Sequence, residues 1–407
     1  MSFADACRFL FPRQSGRIKW SLGPIQALLE VLGRPERHYP CVHVGGTNGK
    51  GSTCAFLAAE LEARGFRAGL YTSPHLVSVC ERVTVNGEPI GEEAFAEWVT
   101  FLHPHIERLD ASFFEAVTAI GLADLAARQV DIAVVEVGLG GRLDATNAIT
   151  PLVSVVTKIA LEHTEYLGDD LSAIAREKAG IAKVGIPFVT GERDPAIRRV
   201  LESEATRLGA RPFVVVDTTR RPSSGATLGL RGDHQWSNAW VALEALSRLA
   251  PAFGPAEERF PASFGSAYVA GRFDVRGRWI FDVAHNPDGM RVLVDTLRRF
   301  APPRPLHAVA GIRKDKDWQP MLDLLVREVD RLVLTVAPSV PTERRWIWTE
   351  LAPWTDQHAR PVETLFEPDF GRALTLGADG AATVLVTGSF HTVGDALARL
   401  PGFAPVG

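Results

Sequence analysis

Gly46-Thr47-Asn48-Gly49-Lys50-Gly51-Ser52 follows the apolar run Cys41-Val42-His43-Val44 and precedes a helical pattern. This is the wiring of a phosphate cradle. Glycines let backbone N–H groups come close to an anion, the helix that follows turns its positive end toward it, and Lys50 adds a full charge. The common phosphate loop reads G-x-x-x-x-G-K-[ST]; here the first glycine of that spacing is missing and Gly51 stands between Lys50 and Ser52. A plain strand-to-helix turn explains the glycines, but not a lysine and two hydroxyls placed where phosphates need them.

Outward from the cradle, Cys54, Leu57, Ala58 and Leu61 recur at helical spacing up to Gly65, and the short run Ala68 to Tyr71 follows. Strand, helix, strand predicts a parallel crossover unit. Upstream, Ile25, Leu28, Leu29 and Leu32 predict a helix ending near Gly33. Downstream, Val83 to Gly87 reads as an irregular excursion with a turn at Asn86-Gly87. The runs Ile132 to Val137 and Leu152 to Val156 are apolar on both faces, as strands inside a parallel sheet are. A helix from Asp170 to Gly180 carries Leu171, Ile174, Ala175 and Lys178 on one face. Strands at 187–190 and 212–216 and a helix from Trp236 complete a first domain over residues 1–266. A linker near 262–270 leads to a smaller domain, 267–407, with strands near 279–281, 306–310, 332–336 and 383–386. The fold class is α/β: an N-terminal P-loop-type parallel-sheet ATPase domain plus a smaller C-terminal three-layer, Rossmann-like α/β domain.

The 407 residues suffice for two domains at roughly 150 residues each. A net charge of -4 and no basic stripe argue against nucleic acid or a membrane surface as partner. No window approaches a membrane span, no leader sequence is visible, and four scattered cysteines without C-x-x-C read as reduced thiols, so a cytoplasmic protein is expected; a monomer is a separate expectation.

In open parallel sheets, ligands bind outside the carboxyl ends of the strands. The cradle, Ser73, Glu136 and His163 all fall at such ends. Glu136, inside an apolar run, must be paired, protonated or bound to a metal. A serine oxygen, a carboxylate and an imidazole around a triphosphate form a plausible Mg²⁺ environment, whereas zinc-type Cys/His spacing is lacking. Each has an ordinary alternative. His163 alone is a loop histidine, Lys178 a lysine near a helix C-terminus, Ser112-Phe113-Phe114-Glu115 a capping box, and Asn286-Pro287 a helix cap.

Taken together, 46–52, Tyr71 to His75, Glu136 to Asn147 and Glu177 to Ile181 resemble folylpolyglutamate synthase/dihydrofolate synthase, a branch of the Mur ligase superfamily. The resemblance continues through Gly232, His234, Gln235, Asn238, Gly271-Arg272-Phe273, Asp282 to Pro287, Asp315-Lys316-Asp317 and Gly388-Ser389. It implies an ATP-dependent ligase joining L-glutamate to dihydropteroate or folate. By that pattern Thr47, Asn48, Gly49, Lys50, Gly51 and Ser52 hold the ATP phosphates, and Ser73, Glu136 and His163 match Mg²⁺ positions, with two ions implied. Lys178 matches a carbamylated lysine facing the second ion. Asn238, Arg272, Asp282 and His285 match nucleotide contacts. Ser112, Phe113, Phe114 and Glu115, with Leu143, Asp144 and Ala145, match segments that touch the pterin. The resemblance further implies closure of one domain on the other about the linker.

Two departures stand out. Glu162-His163 replaces the usual Asp-His, and Gly388-Ser389-Phe390-His391 replaces an aliphatic and a tyrosine after the serine. Rival readings are another Mur-type ligase, which usually carries an extra N-terminal domain where this chain has about 40 residues before the cradle, and a nucleotide-binding regulator without catalysis.

Overall fold

A computed structural model describes residues 1–15, 21–220, 225–249, 251–255, 259–358 and 362–403. The chain divides into two compact units. The first comprises Met1–Pro74, Cys80–Gly229 and Gln235–Ala267; the second comprises His75–Val79, Leu230–His234 and Tyr268–Gly407.

The first unit is built on eight strands: β1 (Cys41–Gly45), β2 (Ala68–Tyr71), β3 (Val83–Val85), β4 (Glu88–Pro89), β5 (Ile132–Glu136), β6 (Val153–Val156), β7 (Phe188–Thr190) and β8 (Phe213–Val215). Their order is β4-β3-β2-β5-β1-β6-β7-β8. The strands from β2 to β8 along this order are parallel. β1, β5 and β6 are buried at every position, as their two-sided apolar sequences require. Helix Lys50–Ala63, with Cys54, Leu57, Ala58 and Leu61 inward, packs on β1, β2 and β5. The crossover from β1 to β2 is parallel, with β5 inserted between them.

Residues 83–87 correct the sequence reading. They are not an irregular excursion but β3 and the start of a hairpin, antiparallel to β2, turning at Asn86 (φ 50°) and Gly87 (φ 78°) into β4. Two consecutive left-handed residues are what a tight hairpin demands, and Asn-Gly supplies them. The missing cue is length: three residues are too few to show alternation.

The second unit holds β9 (Asp274–Arg276), β10 (Trp279–Asp282), β11 (Leu306–Ala310), β12 (Arg331–Leu334), β13 (Glu363–Phe366) and β14 (Thr383–Thr387), ordered β13-β12-β11-β14-β10-β9. All are parallel except β9. Alternate residues feed two separate cores: Ile280, Ala308, Leu332 and Leu385 enter one, and Phe281, Val309, Val333 and Val386 the other. A sheet with an apolar core on each face is the middle layer of three. The edge strands β9 and β13 escaped the sequence reading because both are short and partly exposed.

Candidate active site

In the first unit, β1 lies between β5 and β6, so the loop leaving it opens at the carboxyl edge of the sheet where crossovers part to either side. Gly46 (φ 131°) and Gly49 (φ 94°) take backbone conformations that side chains rarely adopt. A Cβ on Gly46 would strike Thr157, and one on Gly49 would strike the Asn238 side-chain oxygen. Gly49 is the N-cap of helix Lys50–Ala63, and no side chain caps that helix. The loop is pinned from β6: Thr47 N–H donates to the Lys158 carbonyl at 2.7 Å, and the Thr157 hydroxyl reaches the Asn48 carbonyl at 2.8 Å. Lys50 Nζ donates to the Thr47 carbonyl at 3.0 Å. The carbonyls of Thr47 and Asn48 are thus taken up within the protein, while the first turn of the helix has no side-chain cap.

Glu136 ends β5 in register with Val44, 4% exposed. Its Oε2 accepts the Ser73 N–H at 3.1 Å, and a Cβ on Gly51 would lie 3.7 Å from both carboxylate oxygens. The carboxylate thus stands against the cradle's first turn. Lys178, also 4% exposed, donates from Nζ to the Gly46 carbonyl at 2.9 Å. Burial, and next the nearby Lys50, lower its ammonium to about 7, with Glu162 and Asp144 opposing. The neutral amine is therefore well populated near neutral pH, a state that an ordinary lysine almost never shows.

His163 takes a left-handed conformation at the start of the short helix Thr164–Leu167, with Nε2 3.8 Å from Glu162 Oε1. Among the described residues, no group of three or more His, Cys, Asp or Glu side chains stands close enough to hold a metal. The structure thus joins Ser73 and Glu136 directly, and Lys178 to the cradle, while His163 pairs with its neighbour. A hard cation fits Glu136 and Ser73 if phosphate oxygens supply most of its remaining ligands.

In the segments expected to touch the pterin, Ser112 and Glu115 form a reciprocal capping box, with Ser112 N–H to Glu115 Oε2 at 2.8 Å. Phe113 lies under the Arg82 guanidinium, 5.1 Å from ring centre. Phe114 covers Gly138, where a Cβ would run into its ring. Asp144 is buried, and burial raises its carboxyl although the Leu139, Thr146 and Gly138 groups oppose. Leu143 and Ala145 flank it. Sequence reasoning missed Thr157 and Arg82. Thr157 directly follows the apolar run of β6, a cue that was available; Arg82 has no local pattern.

In the second unit, Asp282 ends β10 and accepts the Phe273 N–H at 2.8 Å and the Ala284 N–H at 2.9 Å. Burial raises its carboxyl and Arg272 opposes. Arg272 lies over the Phe390 ring at 5.4 Å, and His285 packs on the same ring at 5.2 Å. Phe390, part of the second departure, is therefore an aromatic platform shared by an arginine and a histidine.

The family "Mur ligase, glutamate ligase domain" matches residues 271–390. Folylpolyglutamate synthase of Lacticaseibacillus casei is 35% identical over 78% of this chain and 81% of its own length. The chain belongs to the folylpolyglutamate synthase family. The ligase is also similar to Mycobacterium tuberculosis folylpolyglutamate synthase complexed with ADP, with a TM-score of 0.85 at 32% identity over 97% of each chain. A Yersinia pestis bifunctional folylpolyglutamate synthase/dihydrofolate synthase, complexed with AMPPNP and a Mn ion, gives 0.83 at 30% identity over 98% of each. The chain is an ATP-dependent acid–amino-acid ligase of the Mur type. Among its described residues no helix is long and apolar enough to cross a membrane.

Proposed function

We propose that the ligase joins L-glutamate to the carboxylate of dihydropteroate, of folates, or of both, through an acyl phosphate, releasing ADP and phosphate. The observation that carries this reading is the meeting, at one sheet edge, of an uncapped glycine cradle, the buried Glu136 and a lysine whose ammonium has fallen to about 7.

A carboxylate is a poor electrophile. One of its oxygens attacks the γ-phosphorus of ATP, the bond to the β-phosphate oxygen breaks, and ADP leaves. The glutamate amine then adds to the acyl carbon, phosphate departs, and the amine proton passes to solvent or phosphate. Thr47 to Ser52 bind and orient the phosphates, and Lys50 neutralises charge that grows on them. Ser73 and Glu136 would hold a divalent cation, which when bound lowers the charge on phosphate oxygens. Asn238 of the first unit, and Arg272, Asp282 and His285 of the second, are proposed nucleotide contacts. Ser112 to Glu115 and Leu143 to Ala145 are proposed pterin contacts, and His163 a further metal ligand.

The neutral fraction of Lys178 supports carbamylation. Its lone pair can add to CO₂, forming an N–C bond and losing a proton, so that a cation becomes an anion able to face a second ion. Mass spectrometry of the intact protein in bicarbonate would show the added CO₂, and Lys178→Ala should lose both that mass and most of the rate. We place the activity in the cytoplasm, in a monomer with residues 1–266 as the ATP-binding domain and 267–407 as the glutamate ligase domain.

The deciding experiment measures ADP release with dihydropteroate and tetrahydrofolate side by side, each with and without glutamate. Release that requires one acid and glutamate supports the reading. Release independent of both overturns it.

A further inference from the structure

We propose that His43 is a positioning residue for the segment Leu143–Ala145, acting through a buried relay that runs from its imidazole by way of Thr146 to Asp144. The proposal rests on the reading above that this segment touches the acid substrate.

His43 lies in β1, in register with Val135 of β5 and Ser154 of β6, wholly buried. Its Nε2 is 2.8 Å from Thr146 Oγ1, and Thr146 Oγ1 is 2.5 Å from Asp144 Oδ1. The same Oδ1 accepts the Thr146 N–H at 2.9 Å, while Oδ2 accepts the Leu139 N–H at 2.8 Å. One carboxylate therefore ties both ends of the loop from Gly138 to Asn147, and His43 is the fixed post behind it.

Proton directions follow from the unused nitrogen. His43 Nδ1 is buried without a hydrogen-bond partner. Were Asp144 protonated and donating down the relay, Thr146 would donate to Nε2 and Nδ1 would carry an orphan N–H. Orphaned buried N–H groups are rarer and costlier than a bare lone pair. So Nε2–H donates to Thr146 Oγ1, and the Thr146 O–H donates to the Asp144 carboxylate. Burial, reinforced by Lys183, holds the imidazole down to about 3, so it stays neutral in this one tautomer.

The strand itself does not need an imidazole at this position. The adjacent β1 positions are Val42 and Val44, and an apolar side chain at 43 would avoid burying an unsatisfied nitrogen. What the imidazole adds is a donor that stops the Thr146 hydroxyl from turning away from Asp144.

The test is steady-state kinetics on the full chain with ATP, glutamate and whichever of dihydropteroate or tetrahydrofolate is turned over. His43→Leu and Thr146→Val should each raise the KM for the acid about tenfold with the KM for ATP unchanged. The double variant should be no worse than either single one, and His43→Gln, which returns an N–H at similar reach, should recover most of the loss. Thr146→Val keeps the test alive if His43→Leu does not fold. Equal rises in both KM values, or additive effects, would overturn the relay. Asp144→Asn separates the two readings: an unchanged KM for the acid removes the segment from the substrate site, whereas a raised KM with silent His43 and Thr146 variants sinks the relay alone.

Discussion

Two strand-to-helix corners, one in each unit, show how similar backbone paths serve different ends. After β1 the chain turns through Gly46 and Gly49, and helix Lys50–Ala63 begins on a glycine with no side-chain cap. After β10 it turns through Asp282, and helix Pro287–Phe300 begins on Asn286, whose Oδ1 accepts the Gly289 N–H at 2.7 Å, with proline at the first helical position. The second helix has a side-chain cap on its first turn, whereas the first has none. Their carboxylates differ likewise. Asp282 accepts two backbone amides that shape its corner, and Glu136 accepts the Ser73 amide beside the cradle, with both oxygens 3.7 Å from where a Cβ on Gly51 would lie. A capped corner builds the domain; an uncapped one with a carboxylate beside it is open to the phosphate proposed for it.

The largest effect should come from Glu136→Gln, which keeps the shape and removes the charge. Metal-dependent turnover is expected to fall roughly a thousandfold, with little change in thermal unfolding. Turnover at the parent rate across a Mg²⁺ or Mn²⁺ titration would leave the first corner without its distinguishing carboxylate. Gly49→Ala comes next. At φ 94° and against Asn238 it is strained by about 1–3 kcal/mol, enough to cut kcat/KM for ATP by roughly a hundredfold. Nucleotide affinity measured by calorimetry should fall with it, and unchanged affinity would show that the cradle does not need its left-handed turn.

The sequence made the first corner legible because its chemistry is local. Glycines, a lysine and two hydroxyls occur within seven residues, and the strand and helix around them are long enough to show their periods. Glu136 was legible as an exception to an apolar run. What stayed hidden depends on residues distant in sequence and joined only by the fold: Thr157 pinning Asn48, Arg82 over Phe113, and His43 reaching Thr146 are 109, 31 and 103 residues apart. Strands β3, β9 and β13 were hidden for another reason, since a short edge strand has too few residues to alternate. Phe390 read as a departure from a pattern, and only the structure gave it work, as the ring beneath Arg272 and His285.

The second corner gives a smaller, structural signal. Asn286→Ala removes the cap and should lower stability by about 1 kcal/mol, read as a shift of the denaturant midpoint. A fall of more than tenfold in kcat/KM for ATP, with the midpoint unmoved, would instead make Asn286 a ligand-binding residue and erase the contrast between the two corners.

The smallest expected effect is a pH dependence at His391, beside Phe390 in the same departure. Its Nδ1 lies 2.9 Å from the Ser339 hydroxyl, and burial, with Arg313 next, lowers its imidazolium below the usual 6.5; Arg344 adds to this, while Asp395 and Asp315 oppose. The unfolded chain therefore binds the proton more readily than the folded one just below pH 6.5. Stability supplied by the neutral ring is complete above that pH and is lost as pH falls through the window between 6.5 and the folded value. His391→Gln, which cannot titrate, removes this slope. The stability difference between parent and variant should shrink or reverse from pH 7.5 to pH 5.5 by on the order of a few tenths of a kcal/mol, because solvent screens a partly exposed site. A difference that is the same at both pH values would mean that His391 is held by its Ser339 contact alone, and that the charges around it do not reach the ring.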